Sequence, residues 1–140
     1  MSDRHFHLKL EASYQGDKNE IDGLRVEVLN KDVWETLDLS IRSPGFLLFI
    51  NGLFSCQHLY MRTNSAERGL LLDSSAGEMK VVAGEFWRIK EAYISFNVKL
   101  RSGIPKEDDL AYIRDRMTHC PVSTNLPDDI QINNAVNFDS

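Results

Sequence analysis

Between Pro44 and Gly69 the chain carries no proline, and the first half of this stretch is apolar on nearly every side, with Phe46-Leu-Leu-Phe-Ile50 followed by Leu53-Phe54. Ser43-Pro44 suits the start of a helix, because Ser caps free N–H groups and Pro fits the first turn. Gly69 stands where a left-handed stop is needed. Only Gly45 and Gly52 weaken the helix in between. A helix apolar all round is expected to be buried. At about 1.5 Å per residue it crosses an entire small domain. The apolar run is too short to span a bilayer, and Asn51, Arg62, Glu67 and Arg68 lie within or just beyond it. The rest of the chain must therefore wrap this segment.

The flanking residues alternate instead. Phe6, Leu8, Leu10, Ala12 and Tyr14 share one parity, with His7, Lys9, Glu11 and Ser13 between them, as in a half-buried strand. Gly16-Asp17-Lys18-Asn19 reads as a turn. Leu24, Val26 and Val28 continue as a second strand, Asn30-Lys31-Asp32 as another turn, and Val33 to Ile41 as a weaker third strand. Beyond Gly69, Glu78 to Phe86 predicts a strand. Ala92, Ile94, Phe96, Val98 and Leu100 predict another. Pro105 opens a second helix whose first turn holds Glu107, Asp108 and Asp109, where the helix dipole favours acids. Leu110, Ile113, Met117 and Cys120 share one face of it, and Ile130, Ile132, Val136 and Phe138 suggest a last strand. The expected architecture is α+β: an antiparallel sheet, a long buried central helix and a second helix, in a single domain spanning 1–140.

A chain of 140 residues can bury a core without disulfide staples or a structural metal. The net charge of −5, with no basic run, argues against a broad nucleic-acid surface. The N-terminal Met1-Ser-Asp-Arg-His5 has no apolar signal region, so a cytoplasmic location is expected. In that reducing compartment two cysteines are either inert core thiols or a reactive pair.

Cys56 lies within the apolar helix, and Gly52, Leu53, Leu59 and Tyr60 share its face. Gly52 leaves open space beside the sulfur. Burial in apolar surroundings raises a thiol pKa, so an inert core cysteine is one reading. Cys120 precedes Pro121, which pushes it out of helical geometry and breaks the helix there. It can then cap a new turn at Pro121-Val-Ser-Thr-Asn-Leu126, where unpaired N–H groups favour thiolate. The other reading is that Cys120 simply finishes the core stripe. Spacing alone leaves both open.

Ser43-Pro44, an apolar helix holding one Cys, Ala66-Glu67-Arg68-Gly69-Leu70 and finally His119-Cys120-Pro121-Val122-Ser123 together resemble the OsmC/Ohr family across essentially the whole chain. The resemblance implies an intertwined homodimer with active sites at the subunit interface. It implies thiol peroxidase chemistry on organic hydroperoxides, of the kind that protects against oxidative stress. Cys56 corresponds to the attacking thiol and Cys120 to the resolving one, with reset by a dithiol reductant and no metal or organic cofactor. Two positions depart from the peroxidase branches. Gly45-Phe46 follow Pro44 where those branches carry a Glu. The early turn that carries their Arg reads Gly16-Asp17-Lys18 here. The candidate supporting charges are Arg42, Lys18 and Arg25.

The alternative reading is an OsmC-like binding protein that keeps an apolar pocket, around Phe46, Phe49 and Phe54, for a small hydrophobic ligand without peroxidase activity. Trp34, Phe86 and Trp87 are candidates for its entrance, though core packing explains them as well. A zinc site from Cys56, His58, His119 and Cys120 has the wrong spacing, and His58 points away from Cys56 on a helix.

Overall fold

The computed structural model describes residues 3–139; Met1 and Ser2, part of the N-terminal stretch read above, lie outside them. The alternating segments form strands β1 (Arg4–Gln15), β2 (Glu20–Asn30), β3 (Val33–Thr36), β4 (Leu71–Ala83), β5 (Ile89–Ser102) and β6 (Gln131–Asp139). The helices are α1 (Gly45–Glu67), α2 (Glu107–Thr118) and α3 (Pro121–Thr124). All six strands make one sheet in the order β3-β2-β1-β4-β5-β6. The expected α+β architecture, with a long central helix against a sheet, is therefore observed. Among the described residues, no helix is long and apolar enough to cross a membrane.

The even-numbered residues of β1 face the helices: Leu8, Leu10, Ala12 and Tyr14 are buried, and Met79, Val81, Ile94, Phe96 and Val98 continue that layer on β4 and β5. From α1, Ile50, Leu53, Phe54 and Met61 fill it, with Ile113 and Met117 from α2. Gly77 lets Phe96 cross the sheet surface, since a Cβ there would meet the ring at 2.8 Å.

Several local expectations are corrected. The pairings β1–β2, β1–β4, β2–β3 and β4–β5 are antiparallel, but β6 runs parallel to β5. The connection through α2 carries the chain back to the starting end of β5, which is what a parallel neighbour requires. The third strand stops at Thr36 instead of reaching Ile41: after a last bond from the Leu37 amide to the Val26 carbonyl, Ser40 and Ser43 close a turn. Ile41 is exposed. Strand β4 begins at Leu71, well before Glu78; irregular register at Leu71–Ser74 breaks the parity that would have revealed it. Ser43 does not cap α1. Its hydroxyl takes the Ser40 N–H, and Pro44 occupies the capping position.

Asn19 is fully buried at φ 53, and its side chain ties three strangers together. Its amide nitrogen donates to the Arg62 and Leu70 carbonyls, and its oxygen accepts from the Leu72 amide. The β1–β2 turn is thereby fastened to the end of α1 and the start of β4. Gly69, at φ +75, provides the left-handed stop, and the Leu70 amide closes back on the Ser65 carbonyl. Arg68 then donates to Asp109 at 2.8 Å and stacks over Tyr112, anchoring α2 on α1.

Candidate functional site

The start of α2 is fixed by Asp109, which accepts the Lys106 amide at 3.0 Å. Its end is fixed by Pro121. Cys120 is extended, at φ −63 and ψ 146, and caps the single turn of α3, as its position before proline predicts. Its side chain is fully buried, and it accepts the Ser123 N–H at 3.4 Å. Because α1 packs against both α2 and α3, the middle of the long helix meets this break. Cys56 and Cys120 thus become neighbours, close enough that each shifts the ionisation of the other. Cys56 is half-buried and Cys120 fully buried, so Cys56 is the more accessible residue of the two. Both are free thiols.

Gln57 is the residue that the sequence reading passed over. The two N–H groups of its fully buried amide nitrogen are shared among the Met117 carbonyl at 2.7 Å, Ser123 Oγ at 3.0 Å and Cys120 Sγ at 3.2 Å. The Ser123 hydroxyl lies 3.2 Å from Cys120 Sγ. The only signal in the sequence is a polar residue where α1 should be packed.

These donors make the two thiols unequal. Burial, reinforced by Cys120 and opposed by the Val122 amide, pushes the Cys56 thiol up to about 11. Burial also raises Cys120, but Cys56, Ser123 and Gln57 together outweigh it and bring that thiol below its ordinary value. Of the two thiols, Cys120 is therefore the first to lose its proton.

Among the described residues, no cationic side chain hydrogen-bonds to either sulfur. Arg25 is engaged with Glu11 at 2.9 Å and Glu27 at 3.7 Å, and Lys18 and Arg42 are exposed. His58 does point away from Cys56. It joins a buried chain in which Tyr14 Oη lies 2.6 Å from His58 Nε2 and 2.5 Å from Ser75 Oγ. His119 is exposed beside Asp115 and Thr118.

The space around the site is partly as expected. A Cβ on Gly52 would meet nothing within 4 Å, so the helix surface one turn before Cys56 is open. The front of α1 is not buried all round: Leu48 is 38% and Phe49 43% exposed, and further along Leu59 is 41% exposed. These side chains are only partly covered within one chain. Phe46 and Phe49 line a hollow of about 310 Å³ with Trp87, Ile89, Leu126 and Ile130. Phe54 does not reach it; that ring is buried in the core against Phe96. Trp87 forms one wall, whereas Phe86 is 84% exposed and Trp34 packs on His7 and Lys9. A separate hollow of about 590 Å³, lined among others by His5, His7, Lys80 and Tyr93, lies on the helix-free face and includes neither cysteine.

No protein-family model matches the sequence, and no curated protein matches it. In three dimensions the chain is similar to an OsmC-like protein from Mycoplasma pneumoniae, with a TM-score of 0.57 and 10% identity over 93% of this chain and 96% of that one. It is similar to an OsmC-like hydroperoxide resistance protein from Jannaschia sp. CCS1, with a TM-score of 0.52 and 20% identity over 86% and 85%. It is also similar to an organic hydroperoxide resistance protein from Elizabethkingia anophelis, with a TM-score of 0.50 and 14% identity over 93% and 96%.

Proposed function

We propose that this chain, which has the fold of the OsmC-like proteins, is a thiol-dependent redox protein that reduces organic hydroperoxides through Cys56 and Cys120. The observation that carries this reading is the meeting of an accessible sulfur and a fully buried, anion-favouring sulfur at one helix break. In the proposed cycle the Cys56 thiolate attacks the outer oxygen of the hydroperoxide. The O–O bond breaks, the alcohol leaves, and Cys56 becomes a sulfenic acid. The Cys120 thiolate then attacks the Cys56 sulfur, forming the disulfide as hydroxide leaves and is protonated to water. A dithiol reductant resets the pair by exchange. A reducing compartment such as the cytoplasm suits this cycle.

The test is direct. The reduced protein is mixed with an organic hydroperoxide, quenched with an alkylating agent and mapped by mass. The expected product is one Cys56–Cys120 disulfide per chain, with the hydroperoxide converted to alcohol. Recovery of both cysteines as alkylated thiols would end the peroxidase reading.

One observation favours a second reading. Cys56 keeps its proton, with no cation to remove it, while the hollow beside Phe49 suits a small hydrophobic ligand. A binding protein predicts saturable uptake of such a ligand that is unaffected by Cys56→Ser, together with unreacted thiols in the experiment above.

The uncovered apolar face of α1 supports a homodimer with the sites at its interface. Sedimentation should then give twice the 16.0 kDa chain mass, and Leu48→Glu with Leu59→Glu should return it to 16.0 kDa. A wild-type chain that sediments as a monomer at tens of micromolar excludes this arrangement.

A further inference from the structure

We propose that Gln57 is a positioning residue that fixes Cys120 as the anion-holding sulfur of the pair, so that a thiol reductant opens the Cys56–Cys120 disulfide at Cys56 and expels Cys120. The inference rests on the redox reading above and adds to it which sulfur leaves and what makes it leave.

The orientation of Gln57 is determined by Met117. A backbone carbonyl only accepts, so the group facing it at 2.7 Å must be the amide nitrogen. The same nitrogen reaches Cys120 Sγ and Ser123 Oγ. As a thiol, Cys120 donates its S–H to Ser123 Oγ, 3.2 Å away; once it is a thiolate, that hydroxyl, already accepting from Gln57, turns its own proton to the sulfur. The Ser123 N–H adds a third donor to that sulfur. The opposite end of the Gln57 amide supports this assignment. Its Oε1 is buried without a hydrogen-bond partner, and turning the amide would set that oxygen against the Met117 carbonyl. Holding the nitrogen toward Met117, Ser123 and Cys120 is what strands the oxygen.

The consequence follows from exchange chemistry. The thiolate of the reductant must reach a sulfur, and in the reduced pair only Cys56 is accessible. Its sulfur forms a new S–S bond to Cys56 while the old S–S bond breaks, and the electron pair leaves on Cys120. The better-stabilised thiolate leaves faster. A second reductant thiolate then attacks the mixed disulfide, forming oxidised reductant and a Cys56 thiolate that takes a proton from water.

The experiment separates this inference from its premise by making the disulfide with diamide, without any hydroperoxide. The oxidised wild-type protein is exposed briefly to glutathione, quenched with N-ethylmaleimide and mapped by mass. The expected species carries glutathione on Cys56 and maleimide on Cys120. Glutathione on Cys120 overturns the inference and leaves the redox pair standing. Failure of diamide to join the two cysteines overturns both. In parallel, thiolate absorbance at 240 nm is followed against pH for the reduced wild type and for Gln57→Met. The first ionisation should rise by about one unit in the variant, because the donors are lost, and opening by glutathione should slow several-fold. An unchanged profile in folded Gln57→Met also overturns the inference. If that variant does not fold, the wild-type mapping decides alone.

Discussion

Cys56→Ser is expected to abolish hydroperoxide-dependent disulfide formation and to lower hydroperoxide consumption at least about a hundredfold, since the proposed nucleophile is removed. Cys120→Ser should behave differently. The first step needs only Cys56, so one equivalent of hydroperoxide is still consumed and the product is a sulfenic acid at Cys56. With no partner thiol it is then driven on to the irreversible sulfinic state by excess oxidant. The pH dependence is a sharper signature. A thiol at about 11 is thiolate in only about one molecule in ten thousand at pH 7. The rate of the first step should therefore climb nearly tenfold per pH unit between about pH 7 and 10. Stopped-flow consumption of hydroperoxide at several pH values, with mass analysis of the products, measures both effects. A rate already level at pH 7 would mean that some group absent from one chain, such as a residue of a second copy, ionises Cys56. Full activity in Cys56→Ser would remove that sulfur from the chemistry.

The second large effect concerns stability and arises from the buried chain Ser75–Tyr14–His58. Burial, with Arg62 adding repulsion, pushes the His58 imidazole down from 6.5 to about 4. The folded protein therefore keeps His58 neutral where the unfolded chain already binds a proton. Stability is complete above about pH 6.5, falls as the pH drops, and has lost the whole contribution of this group near pH 4. The shift corresponds to about 3 kcal/mol. Tyr14, pushed up to about 12 chiefly by burial, gives the matching alkaline limb. Its proton is retained in the folded state, so stability declines as the pH rises from 10 towards 12. Urea midpoints from pH 8 to pH 4 should fall steeply for the wild type. His58→Gln has no titrating group but can still accept the Tyr14 hydroxyl. It should start about 1 kcal/mol weaker at pH 8 and fall more gently. Parallel curves for the two proteins would show that His58 does not carry the acid sensitivity.

Much of this molecule is written in periodicity. The parity of Phe6 to Tyr14 places β1 and its buried face correctly, and Ala92 to Leu100 does the same for β5. Cys120 before Pro121 announces the break between α2 and α3, because the constraint lies within one dipeptide. Local chemistry also sets the stop at Gly69 and the acidic start of α2. What depends on distant partners was not legible. The early start of β4 is masked by an irregular register, and the parallel direction of β6 is set by the route of its connection. Gln57 looks like an ordinary helical residue until Met117, Cys120 and Ser123 surround it. The unequal acidity of the two thiols is likewise a property of donors contributed by two separate helices, α1 and α3. A sequence records the conformational preferences of near neighbours, whereas burial and hydrogen-bond pairing between remote segments exist only once the chain has closed on itself. The fold therefore followed from pattern, and the proposed division of labour between Cys56 and Cys120 rests on packing.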